Sequence, residues 1–74
     1  MRLKSAGRKH NGFNIYEAVS VEGTRAYRVI REDDGWRLDT TFALLGHWLP
    51  WEAVTPTRYP TLKEARAAFD EHTR

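Results

Sequence analysis

Arg25, Tyr27, Arg31 and Arg37, with Tyr16 upstream, are the side chains of this sequence best suited to act on another molecule. Guanidinium groups fork onto guanine edges and phosphates, and planar tyrosines stack on bases. The plain alternative is an ordinary half-polar sheet face whose tyrosines shield the backbone. Arg2, Lys4, Arg8 and Lys9 lie in residues 1–12 with no acidic residue among them. That segment reads either as a solvated tail or as a basic arm that docks on phosphate. A third candidate is apolar. Phe42 through Trp51 holds Leu45, Trp48, Leu49 and Trp51, more apolar surface than one helix and one sheet face readily bury. It reads either as core or as a protein interface or dimer contact.

Other chemistry is poorly supported. His10, His47 and His72 are scattered, with no ligand spacing for a metal. Glu32-Asp33-Asp34 lacks the alternating oxygen ligands of a calcium loop and reads as a turn. Ser5 and Ser20 have no His–acid partner in a recognisable motif, and no glycine-rich phosphate loop is present. Substrate pockets take roughly 300–1,000 Å³, which a 74-residue domain rarely encloses. The expectation is a non-enzymatic protein with no cofactor and no metal.

The elements that must position these residues are readable in part. Thr61 followed by Glu64 is a capping box, and Leu62, Ala65, Ala68 and Phe69 make one narrow apolar helical face. Residues 13–21 alternate between apolar and polar and predict a strand. Glu22-Gly23 predicts a two-residue hairpin loop, and residues 24–32, rich in β-branched and aromatic residues, predict the return strand. Residues 36–41 predict a third strand. Residues 42–54 read as an irregular connection with a short extended piece near 51–54. A helical turn through Leu45, or an extended third strand followed by a fourth at 48–54, also fits.

Turn chemistry selects the register. A Glu22-Gly23 loop sets Val19 opposite Ala26, Glu17 opposite Arg28 and Ile15 opposite Ile30. A three-residue Asp33-Asp34-Gly35 loop, with glycine in a left-handed bulge, then sets Glu32 opposite Trp36. This preferred register gathers Phe13, Ile15, Val19, Val21, Ala26, Ile30, Trp36, Leu38 and Phe42 on the core face. It leaves Tyr16, Tyr27, Arg25, Arg31 and Arg37 on the exposed face, and places Glu17 and Arg28 as a cross-strand charge pair. A two-residue Asp34-Gly35 loop shifts the register by one and sends every third-strand side chain to the other face. The Tyr16 and Val29 face is then the core.

Composition bounds the rest. A chain of 74 residues makes one domain that buries roughly 60% of its unfolded surface. With no cysteine to staple it, three Trp, three Tyr and three Phe must supply the core. The formal charge is +2; residues 1–12 carry +4, so residues 13–74, with eight basic groups and ten acids, carry −2. No apolar run approaches a membrane span, and the basic first residues lack the apolar stretch of a signal peptide. The expected location is the cytoplasm.

The stretches Ala26-Tyr27-Arg28-Val29, Gly35-Trp36-Arg37 and Thr61-Leu62-Lys63-Glu64-Ala65 form a pattern of three-stranded meander and helix. It resembles the amino-terminal arm-type DNA-binding domains of phage and transposon tyrosine recombinases. The resemblance implies a phage or mobile-element origin, with the sheet face opposite the helix entering the major groove. It implies DNA-facing roles for Arg25, Tyr27, Arg31 and Arg37. The chain departs from that pattern in the long connection between Thr41 and Thr61.

The sequence therefore predicts an α+β fold: a small antiparallel β-meander of three or four strands packed on one C-terminal helix. Residues 1–12 are expected as a flexible basic arm and residues 13–74 as a single β-β-β-α domain. The expected partner is a nucleic acid, or alternatively a protein, with the chain a monomer or homodimer away from membranes.

Overall fold

Six antiparallel strands and one helix make up the computed structural model, which describes residues 1–74: β1 (Lys4–His10), β2 (Phe13–Val19), β3 (Arg25–Glu32), β4 (Gly35–Leu44), β5 (His47–Trp48), β6 (Glu52–Ala53) and α1 (Leu62–Thr73). The sheet runs β1-β2-β3-β4-β5 in space, with β6 also on β4. The α+β class and the closing helix agree with the sequence reading, and the sheet has more strands than expected. No helix is long and apolar enough to cross a membrane.

The largest correction concerns residues 1–12. Instead of a flexible arm, Lys4–His10 pairs with β2, setting Lys4 opposite Glu17 and His10 opposite Phe13. Asn11 and Gly12 close this hairpin with φ of 54° and 78°. Positive φ at both central residues defines the type I′ turn, whose twist matches that of paired strands. Asn-Gly is its preferred sequence, so the signal was present and masked by the surrounding charge. Leu3, just before β1, is buried in the core.

The β2–β3 pairing has the expected register, with Val19 opposite Ala26 and Glu17 opposite Arg28. Its loop is longer than Glu22-Gly23. Ser20 N–H donates to the Arg25 carbonyl (2.8 Å), and Gly23 N–H donates to the Ser20 carbonyl (2.9 Å). Val21 therefore lies in an exposed loop and does not join the core.

The β3–β4 pairing overturns the preferred register. Glu32 lies opposite Gly35 and Arg31 opposite Trp36, so only Asp33 and Asp34 form the loop. Gly35 is needed for a different reason than a left-handed bulge. A Cβ built on it would lie 2.8 Å from the Tyr59 carbonyl oxygen. Trp36 and Tyr59 exchange two backbone hydrogen bonds of 2.8 Å at this point. The glycine lets the incoming chain close against β4.

The one-residue difference sends the faces the other way. The helix covers Ala18, Tyr27, Val29, Trp36 and Leu38, which join Leu3, Ala65 and Phe69 in one cluster. Tyr27 meets Phe69 edge-to-face at 5.5 Å between ring centroids. The apolar face expected for α1 is the one buried: Ala65 and Phe69 are fully covered, and Leu62 and Ala68 pack at the margin. Thr61 caps the helix, its hydroxyl accepting from the Glu64 amide at 3.1 Å. The Glu64 carboxylate makes no return bond, so half of the capping box forms.

Residues 42–54 are more regular than expected. β4 continues to Leu44, turns at Leu45-Gly46 and returns as β5. The following chain doubles back along β4, pairing at Glu52–Ala53 and again at Tyr59. Pro50 lies between the two short strands, where it interrupts no ladder. The outer edge of β4 is thereby covered, and β1 is the edge strand on the other side of the sheet.

Candidate functional site

The five residues expected on an exposed Arg/Tyr sheet face do not share one. Tyr27 is 5% exposed beneath Phe69 and His72. Tyr16 is half-buried, with the Arg66 guanidinium 4.7 Å from its ring centroid. Arg31 lies over Phe13 and donates to the Glu32 carbonyl. Arg25 remains exposed, donating to Thr40 Oγ1 at 3.1 Å and lying over Phe42. Arg37 points to the opposite face, away from α1. The correction follows from the two-residue loop: α1 packs on the side that the longer loop would have left open.

On this face the charges neutralise one another. Asp39 is 1% exposed. Its Oδ2 accepts from Arg28 Nε at 2.7 Å and from an Arg37 Nη2 at 3.0 Å. Arg37 Nη1 also meets Glu32 Oε1 at 2.9 Å, and His10 Nε2 lies 3.5 Å from Glu32 Oε2. The Arg28 guanidinium stacks 4.7 Å from the Trp51 ring centroid. Glu17 faces Arg28 in the ladder but takes Arg8 as its ion-pair partner, at 2.8 Å. Each acid in this line has a cation, so the line organises the face. No three His, Asp or Glu side chains gather in a way that could hold a metal ion.

Of the basic residues near the amino terminus, Arg8 is committed to Glu17, while Arg2, Lys4 and Lys9 form no ion pair. Arg2 and Lys4 border a shallow depression with Glu17, Ala18 and Val19.

The apolar candidates, in contrast, do come together. Leu45 and Gly46 form a second type I′ turn, with φ of 53° and 81°. Leu45 is 91% exposed at its tip. Trp48 faces Ala43 across the ladder and is half-exposed. Leu49 and Trp51 follow, and with Trp48, Val19, Ala26, Thr41 and Glu17 they line a cleft of about 260 Å³ on the face away from α1. Thr41 Oγ1 donates to the Leu49 carbonyl at 2.6 Å, which holds the cleft wall to β4.

Sequence reasoning missed Val19, Phe42 and Leu44, each of which exposes about half its surface beside this hairpin. Their alternation was visible. The preferred register assigned both Val19 and Phe42 to the core; the observed pairing turns Val19 away from α1, whereas Phe42 keeps the face of Trp36 and Leu38 and is half-exposed near the end of β4.

No protein-family model, no curated protein and no solved structure matches this chain.

Proposed function

We propose that this chain is a non-enzymatic protein-interaction module whose contact surface is the β4–β5 hairpin with the cleft beside it. The observation that carries this reading is Leu45. A leucine in the left-handed region costs about 1–2 kcal/mol relative to ordinary backbone, and the turn would prefer Asn or Gly. Full exposure recovers none of that within the monomer. An unfavourable conformation that presents an apolar side chain to solvent is accounted for by burial in a complex. The cleft supports the same reading, because its lining is mainly apolar and it is smaller than the roughly 300–1,000 Å³ of small-molecule sites.

A photoreactive amino acid in place of Leu45 tests this directly. It is expected to give protein adducts in cells making the chain, whereas the same group at Glu64, exposed on α1, is not. Equal, background labelling at both positions would overturn the reading.

One observation favours a second reading. The uncommitted Arg2, Lys4 and Lys9 on and before the β1 edge could grip a phosphate backbone without using the Arg/Tyr face. Duplex binding would then weaken steeply with salt, by about 0.9 in log–log slope per phosphate neutralised. The Arg2→Ala/Lys4→Ala variant would flatten that slope. Absence of binding at low salt removes this reading and leaves the first intact.

A further inference from the structure

The hairpin tip and the cleft are complementary to each other, and both belong to one chain. We infer that the partner on this surface is a second copy of the protein. The two would associate about a two-fold axis, with the Leu45 tip of each copy seated in the cleft of the other. The inference rests on the interaction reading above and names its partner.

Shape supports it first. The tip is apolar on both sides: Phe42 and Leu44 project from one face of β4, and Trp48 from the other. Laying such a tip on a flat surface would cover only one side of it; an enclosing cleft covers both. The cleft is also roomy enough. An apolar protein cavity of about 150 Å³ holds a benzene ring, and this one, of about 260 Å³, is bordered by Trp48 and Trp51.

Charge supports it second. On the other face of β4, the one Phe42 and Leu44 occupy and an enclosing cleft would also cover, Arg25 and Glu52 border a depression together with Phe42, Leu49 and Pro50. Arg25 has no acidic partner and Glu52 has no basic one. A surface carrying one uncommitted charge of each sign beside an apolar centre complements itself across a two-fold axis. Arg25 of each copy would meet Glu52 of the other, twice per dimer.

Area decides between one-way and reciprocal insertion. A standard interface takes about 800 Å² from each partner, roughly one-sixth of the 5129 Å² surface of this chain. A single tip in a single cleft buries a few side chains and falls short. Reciprocal insertion buries tip and cleft on both copies and closes the assembly. One-way insertion would leave a free tip and a free cleft, and would grow into open chains.

Sedimentation equilibrium over a wide concentration range, with charge-swapped variants, tests the inference. Wild type is expected to show a monomer–dimer equilibrium. Leu45→Asn keeps the turn and should raise the dimer dissociation constant at least about tenfold, a change of about 1.4 kcal/mol. Arg25→Glu and Glu52→Arg should each weaken self-association, and an equimolar mixture of the two should restore it, because every cross-pair is then opposite in sign. Lys63→Glu, on the exposed side of α1, should change nothing. Larger, open-ended species would overturn the two-fold arrangement. A strictly monomeric wild type would overturn the second copy as partner. In that case position-specific adducts from Leu45 to another protein would leave the interaction reading standing, and absence of adducts would remove both.

Discussion

The chain builds the same two-residue turn twice, at Asn11-Gly12 and at Leu45-Gly46, and the two hairpins are used in opposite ways. Their backbones agree closely: φ of 54° and 78° in one, 53° and 81° in the other. The first uses the residue the turn prefers. It is tied to the rest of the protein by Leu3 in the core, by Arg8 on Glu17, by His10 near Glu32, and by Asn11 Nδ2 donating to the Arg31 carbonyl at 3.0 Å. The second uses a residue the turn disfavours. Its tip makes no ion pair and holds Leu44 and Leu45 out in solvent. Where local preference and tertiary contact agree, the hairpin is a structural part. Where they conflict without compensation, as at Leu45, the conflict is what the proposed interaction surface rests on.

The largest test of this contrast removes the ion line that leads to the first hairpin. Asp39→Ala removes the buried carboxylate that Arg28 and Arg37 share and should lower stability by about 3–5 kcal/mol in a denaturant titration. A loss as small as the ~1 kcal/mol of a surface pair would mean that these charges are solvated and do not brace the sheet. Next, Leu3→Ala should cost about 2–4 kcal/mol, as for buried leucines generally. Leu44→Ala on the other hairpin should fall within about 0.5 kcal/mol of wild type. Equal losses would erase the distinction between the hairpins.

Exchanging the turn residues sharpens the comparison further. Asn11→Leu should destabilise by about 1 kcal/mol. Leu45→Asn should stabilise the monomer by about 0.5–1 kcal/mol while weakening association. Thermal melts at low protein concentration read these effects. The smallest effect belongs to Arg8 and Glu17, a partly exposed pair. A double-mutant cycle with Arg8→Ala and Glu17→Gln should give less than about 0.5 kcal/mol of coupling, reduced further by salt.

Much of the fold was legible where a local signal had no competitor. Thr61 and the spacing of Leu62, Ala65 and Phe69 describe α1 without reference to anything else. A turn centred on Glu22-Gly23 gives the β2–β3 register even though the loop around it is longer than two residues. The apolar run at 45–51 was recognisable as more than a small core could take; Trp48, Leu49 and Trp51 line one cleft, and Leu45 stands exposed at the hairpin tip. The first strand was missed because four positive charges in twelve residues outweighed Asn-Gly in the reading. Charge on an edge strand is a common protection against unwanted pairing and is compatible with a strand.

The sequence by itself determined the helix, the pairing of the second and third strands and the surplus of apolar side chains near Trp48. These depend on periodicity and capping within a few residues. Only the tertiary structure decided which sheet face the helix covers. That choice depends on a single residue of register at Asp33–Gly35, and a slip of one exchanges the faces of an entire strand. The register is tied to Tyr59, far along the chain, whose backbone closes on Trp36 in the space Gly35 leaves open. No local pattern reports that contact. It buries Tyr27 beneath α1 and leaves the Leu45 hairpin as the exposed apolar end of the sheet.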